Sequence, residues 1–256
     1  LNSPHDTVMK VMFVIPCYNE ENRLQTEVFS HFGNNNPHVH FLFVNDGSKD
    51  NTAKVIQKIC DSTEHATSLN LQQNVGKAEA IRAGVLVTKN NLDDYAFIGY
   101  LDADLSVPLE EIPEFLNILH QNKNIKFLMG ARLARLGANI KRKKRRHYLG
   151  RVFATFVSSL LNEPVYDTQC GIKLIDSSAV FKLFEAEFVS KWLFDVELLF
   201  RWKVYFPNNM NMIYEHPLSK WTDIPGSKLK LKNFLFAPFE LFVIWNKYRK
   251  ASNTIP

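Results

Sequence analysis

The strongest constraint on this chain is an alternation of short apolar runs with amphipathic stretches through its first half. KVMFVIP (10–16), VHFLFVN (39–45), ATSLNLQ (66–72), DYAFIGYL (94–101) and IKFLMGAR (125–132) read as strands. Between them, EENRLQTEVFSHF, KDNTAKVIQKIC, GKAEAIRAGVLVT and LEEIPEFLNILHQ read as helices, the second with Val55, Ile56 and Ile59 on one face. Such alternation predicts an α/β fold with a mostly parallel sheet and helices on both faces. The near-continuous apolar strands agree, because parallel strands are buried on both sides. The second half is less regular. It carries helix patterns near 148–162, 177–185 and 194–206, strands at GIKLI and NMIYEHP, and an apolar, aromatic end, NFLFAPFELFVIWNKYRK. Pro238 is expected to break that last stretch. No linker is evident, so a single domain is expected over 1–256. It would comprise a binding half (9–132), a second half that completes the site (133–232) and an amphipathic tail (233–256).

Ligands of open parallel sheets bind beyond the carboxyl ends of the strands, and the conspicuous polar residues fall there. The first strand is followed by Asn19 and Glu20, the second by Asp46, Gly47 and Ser48, the third by Asn74, Gly76 and Lys77, and the fourth by Asp102 and Asp104. Any one fragment is an ordinary turn or cap sequence; four in register describe one crevice. The Asp-x-Asp pair is the most demanding feature. Two carboxylates so close repel unless counter-charged, and hard oxygen ligands suit Mg2+ or Mn2+ completed by water and substrate phosphates. The expected ligand is a diphosphate carried with its metal. No Walker-type loop and no GxGxxG is present, which argues against P-loop nucleotidases and dinucleotide dehydrogenases.

Bulk properties add limits. Hydrophobic residues make up 46% of 256, enough for a substantial core, and the net charge of +5 fits a phosphate-bearing partner. Six cations run together in KRKKRR (141–146). They are either a solvated loop or a patch that recruits an anionic lipid surface, which charge reversal at Lys143, Lys144 and Arg145 would disrupt. A nucleic-acid surface is disfavoured, since interleaved stacking aromatics are missing. Cys17, Cys60 and Cys170 form no metal or CxxC spacing and suit reduced thiols in a cytoplasmic chain. No stretch reaches the roughly 18 apolar residues of a membrane span.

The stretches IPCYNEE, VNDGSKDNT, NVGKAEAIRAG and YLDADLS together resemble glycosyltransferase family two, of the GT-A fold with a Rossmann-like central sheet and an acceptor-side C-terminal subregion. The second half narrows the likeness: GAR, YDTQCGIKLI, KWLFDVELLF and SKWTDIPGSKLK resemble dolichyl-phosphate glucose synthases and related polyprenyl-phosphate glycosyltransferases. The resemblance implies an inverting, metal-dependent transfer of a sugar, by the nearest motif set glucose from UDP-glucose, to a polyprenyl phosphate. A growing glycan is the alternative acceptor, and a non-catalytic nucleotide-sugar-binding protein the alternative of another class. Carried over by residue, Pro16 and Glu20 would border the nucleoside, and Asp46 would accept a hydrogen bond from the base. Asp102 would lie near ribose and metal, and Asp104 would bind the metal. Tyr18, Gly47, Ser48, Asn74, Gly76, Lys77 and Ala103 fall in the same nucleotide-sugar-binding motifs. Arg132, Arg145, Arg146 and Arg151 are the candidates for an acceptor phosphate, because arginine suits bidentate phosphate contact. Asp167 and Asp195 remain open between positioning, general base and helix-terminal structure. Trp192 is open between core and sugar contact, and Trp221 with Gly226 is expected in an acceptor lid. The expected setting is cytoplasmic, peripheral on the membrane face.

Overall fold

A computed structural model describes residues 9–89, 94–224 and 231–252. The five expected strands of the first half are present as β1 (Val11–Cys17), β2 (Val39–Asp46), β3 (Ala66–Leu71), β4 (Phe97–Leu101) and β5 (Phe127–Ala131). The helices that cross between them are α1 (Thr26–Asn35), α2 (Thr52–Ser62), α3 (Lys77–Val87) and α4 (Ile112–Gln121). The second half contributes β6 (Asn139–Lys141), α5 (Lys144–Leu161), β7 (Ile172–Asp176), α6 (Ser177–Phe184), α7 (Phe194–Tyr205), β8 (Ile213–Pro217), β9 (Lys220–Thr222) and α8 (Leu231–Ser252). Seven strands form one sheet in the order β3-β2-β1-β4-β7-β5-β8, and β6 pairs with β9 apart from it. All pairings in the large sheet are parallel except those of β7, which runs antiparallel to both β4 and β5.

Both sheet faces are covered, as the continuous apolar strands require. Along β1, Val11, Phe13, Ile15 and Cys17 enter one core with Phe29, Phe41 and Phe43, while Met12 and Val14 enter the other with Tyr100, Phe127 and Trp202. Each fully buried phenylalanine adds about 1.5–3 kcal/mol over an exposed one. Phe29 meets the rings of Phe41 and Phe43 edge-on, a favoured aromatic geometry. Gly84 lets α3 sit on β1 and β2, since a Cβ there would lie 2.4 Å from Val14.

Three expectations need correction. The first helix starts at Thr26 rather than Glu20, because Glu20 and Arg23 are held at the crevice. The Glu20 backbone N–H donates to Thr52 Oγ1 at 2.7 Å, and Arg23 Nε donates to the Glu20 carboxylate at 2.7 Å. The basic run is not a plain loop: it spans the end of β6, a two-residue connection and the first turn of α5. Pro238 does not break the last helix, which runs through it. A proline inside a helix costs about 3 kcal/mol; buried Ala237, Leu241, Ile244 and Tyr248 offset this by docking α8 on α7. The opposite face of α8 leaves Phe236, Phe239 and Phe242 exposed. Gly226 lies outside the described residues.

Candidate active site

The carboxyl ends of β1, β2, β4 and β5 open on one edge of the sheet, and the residues before β7 reach the same edge because that strand is antiparallel. A cavity of about 540 Å³ lies there, within the size of small-molecule sites. Pro16, Tyr18, Glu20, Asp46, Asn74, Gly76, Lys77, Asp102, Ala103 and Asp104 line one side; Arg132, Arg146, Asp167, Asp195, Trp192 and Trp221 line the other. Of the expected site residues, Gly47, Ser48, Arg145 and Arg151 do not line it. Gly47 (φ +61°) turns the chain where a Cβ would lie 2.5 Å from the backbone at Gln73, and Ser48 Oγ accepts from the Asn19 N–H at 3.0 Å. Arg145 is exposed. Arg151 donates to the Tyr166 carbonyl at 3.1 Å and stacks 3.7 Å from the Tyr166 ring centre.

Asp46 is a fastening as well as a wall. Its carboxylate accepts from Asn74 Nδ2 (2.8 Å), Val75 N–H (2.7 Å) and Gly76 N–H (2.9 Å), tying the end of β2 to the loop that starts α3. Gly76 takes φ +94° there, a conformation that disfavours side chains. Asp102 pairs with Lys77 Nζ at 2.5 Å. Its close neighbour is Gly171, where a Cβ would lie 2.3 Å from Asp102 Oδ2. Asp104 accepts from the Ser106 N–H at 3.0 Å and has no salt-bridge partner among the described residues. Burial, then the charge of Asp102, hold its carboxyl above the ordinary range. Leu105, at φ +53°, turns the chain directly after it.

Opposite lies a locked ion pair. Arg132 Nε and Nη2 donate to the two oxygens of Asp167 at 2.6 and 2.7 Å, and its backbone N–H adds a third bond at 3.0 Å. Burial pushes the Asp167 carboxyl up, but Arg132 more than reverses this and it falls to about 2. The guanidinium lies 5.3 Å from the centre of the Trp221 ring. Glu215 accepts the backbone N–H groups of Tyr166 and Asp167 at 2.7 and 2.8 Å. Arg146 Nη1 donates to Asp223 at 2.6 Å.

Asp195 is buried, and its Oδ1 receives Lys173 Nζ at 2.6 Å together with the Tyr100 hydroxyl. Lys173 is fully buried and spends its other donors on the carbonyls of Thr168 and Cys170, at 2.9 and 2.8 Å. Sequence reasoning missed this lysine, although a lone cation inside the apolar GIKLI strand was a signal, because a buried charge demands a partner. Arg23, in the polar stretch EENRLQ after the first strand, carried no such signal. Arg142, a further cavity residue, had no signal beyond membership of the basic run.

Residues 12–191 match the family described as Glycosyl transferase family 2. A dolichyl-phosphate beta-glucosyltransferase of Drosophila melanogaster is 31% identical over 94% of this chain and 76% of its own. The human protein of that name is 30% identical over 84% of this chain and 68% of its own. Among solved structures, glucosyl-3-phosphoglycerate synthase from Mycobacterium tuberculosis, in complex with Mn2+, UDP-glucose and phosphoglyceric acid, superposes with a TM-score of 0.67 at 16% identity, over 93% of this chain and 80% of that one. At that identity the likeness concerns the fold.

Proposed function

The chain belongs to glycosyltransferase family 2, with the GT-A fold and a nucleotide-sugar-dependent transferase activity, and from that premise we propose that it moves glucose from UDP-glucose to a polyprenyl phosphate of the dolichyl type, inverting the anomeric centre. Asp104 carries the reading. Asp102 has Lys77 and Asp195 has Lys173, while Asp104 faces the cavity with no cationic partner among the described residues. The residues fit a divalent cation on donor chemistry. Two hard carboxylates, two residues apart in the chain, stand at the crevice. That suits an ion completed by water and substrate phosphates. Asp102 and Asp104 would hold it. Mg2+ or Mn2+, when bound, supplies positive charge against the departing diphosphate. The relatives named for dolichyl-phosphate glucosyl transfer and a structural neighbour crystallised with Mn2+ and UDP-glucose support the same assignment.

The chain's own residues then have separable tasks. Pro16, Tyr18, Glu20 and Asp46 wall the nucleoside side. Lys77, beside Asp102, offers a fixed cation to the charge that builds on UDP as the bond from the anomeric carbon to the diphosphate oxygen breaks. An acceptor phosphate oxygen forms the new bond to that carbon. Its second ionisation lies at about 6, so it arrives as an anion and needs no general base. Asp167, held at about 2 by Arg132, is a poor base at neutral pH and is assigned the positioning of Arg132. Asp195, oriented by Lys173 and Tyr100, is assigned to a hydroxyl of the sugar. The exposed Tyr148, Leu149, Val152 and Phe156 on α5 offer apolar surface to a prenyl chain.

The test is thermal stabilisation by UDP and UDP-glucose with and without Mn2+, on wild type and Asp104→Ala, followed by assay with polyprenyl phosphates. A Mn2+-dependent shift lost in the variant, and a glucosyl product released by mild acid, are expected. Equal stabilisation of both proteins would remove the metal assignment. Transfer to a glycan but to no lipid phosphate would remove the acceptor.

A further inference from the structure

The buried face of α8 carries Ala237, Leu241 and Ile244. Glu240 falls on that same face, at the spacing that makes residues three and four apart neighbours on a helix. A carboxylate among apolar residues needs a partner, and Glu240 has one in the Ser190 hydroxyl, which donates to its Oε2. Ser190 is buried, and its oxygen also accepts the backbone N–H of Trp192 at 3.2 Å and that of Leu193 at 2.7 Å. A serine hydroxyl has one proton and two lone pairs. Its capacity is therefore fully committed, and its proton points at α8 while both lone pairs face the turn. From the other side, Glu197 Oε2 accepts the N–H groups of Val189 and Ser190 at 2.8 and 3.4 Å.

The turn held in this way is part of the cavity wall, which Lys191 and Trp192 line. The Lys191 side chain reaches over Gly76, where a Cβ would lie 3.6 Å from it, and the Trp192 ring centre is 6.3 Å from that of Phe153 on α5. Leu193 then opens α7, its carbonyl accepting the N–H groups of Val196 and Glu197 at 3.0 Å, and Asp195 follows in the first turn. We propose that Glu240 is a positioning residue for the transfer: by orienting the Ser190 hydroxyl it fixes the 190–193 turn and holds Trp192 against the sugar bound beside Asp195. The inference rests on the transferase reading for the ligand and on the hydrogen-bond chain for the residue. The nucleoside wall lies across the cavity, so the sugar and not the nucleotide should register the loss of Glu240.

Glu240→Ala, Glu240→Gln, Ser190→Ala and the double alanine variant, each in the whole chain, test it. Calorimetry with Mn2+ should give the same UDP affinity throughout. With a polyprenyl phosphate acceptor, Glu240→Ala should lower kcat/KM for UDP-glucose about tenfold, the loss expected when a buried hydrogen bond to a charged group is broken. Glu240→Gln keeps an oxygen that accepts from Ser190 and should recover most of that loss. The double variant should be no worse than Ser190→Ala, because the two residues act through one chain of bonds. Labelling with 5-fluorotryptophan reads the position itself. The Trp192 fluorine resonance, identified with Trp192→Phe, should shift or broaden in Glu240→Ala and in Ser190→Ala, while that of Trp202 stays in place. An unmoved Trp192 resonance, additive losses in the double variant, or UDP affinity falling in step with kcat/KM would each overturn the proposal. Wild type that transfers no glucose would instead overturn the transferase reading, and the Trp192 resonance would still decide whether Glu240 orients the turn.

Discussion

Arg132 and Asp167 show what a single buried pair does for this site. Taking both charges out of water is costly, and the pair holds only because two side-chain bonds and one backbone bond satisfy the carboxylate. Because the folded carboxyl, at about 2, lies below its ordinary value of about 3.9, the pair stabilises the fold fully above that ordinary value. The contribution is lost as pH falls from there through about 2, and amounts to about 2–3 kcal/mol. Asp167→Asn should therefore lose about 3 kcal/mol at pH 7, where it strands a buried guanidinium. It should also flatten the acid limb of stability, measured by urea unfolding from pH 6 to pH 2.5. An unchanged acid limb would assign the effect elsewhere. Cys170 offers a second check at this scale. Burial pushes its thiol up to about 12, so it should resist alkylation at pH 8 in the native protein and react only after unfolding.

Among the elements, β7 matters most to the site. It enters the sheet antiparallel between β4 and β5, sets Lys173 opposite Tyr100 and brings Gly171 against Asp102. This close approach depends on Gly99, where a Cβ would fall 1.8 Å from the Lys173 carbonyl oxygen. Gly99→Ala should cost more than about 3 kcal/mol, read as a lowered denaturation midpoint, and should impair donor binding along with stability. Elsewhere α8 is pinned to α7 by a buried polar knot, in which the Tyr248 hydroxyl donates to Glu197 at 2.7 Å and Arg201 pairs with Glu197 at 2.9 Å. Tyr248→Phe leaves part of this knot unsatisfied and should destabilise by about 1–3 kcal/mol without changing the affinity for UDP. A fall in UDP affinity would tie α8 to the donor site.

Taken whole, the molecule has an uneven surface. The exposed cations Lys143 and Arg145 stand at the start of α5, ahead of exposed Tyr148, Leu149, Val152 and Phe156, and α8 adds Phe236, Phe239 and Phe242. Among the described residues no helix is long and apolar enough to cross a membrane. From the exposed cations and apolar rows we propose a peripheral contact with an anionic bilayer, worth about 1 kcal/mol per basic residue near the surface. Reversing the charge of Lys143 and Arg145 together should cut sedimentation with phosphatidylserine vesicles several-fold and leave binding to neutral vesicles unchanged; equal sedimentation would end that assignment. The sequence by itself determined the alternating α/β plan and the four polar strand ends, because strand and helix periodicity and turn chemistry are set by near neighbours. That is why Asp46, Lys77, Asp102 and Asp104 were legible as one crevice. The tertiary structure alone decided that β7 inserts antiparallel, that Asp167 binds Arg132 thirty-five residues away, and that Asp195 meets Lys173. It also decided which arginines of the six-cation run line the cavity, Arg142 and Arg146, and which is exposed, Arg145. Those pairings depend on where the chain returns, and the start of α5 at Lys144 sets neighbouring Arg145 toward solvent and Arg146 toward the cavity.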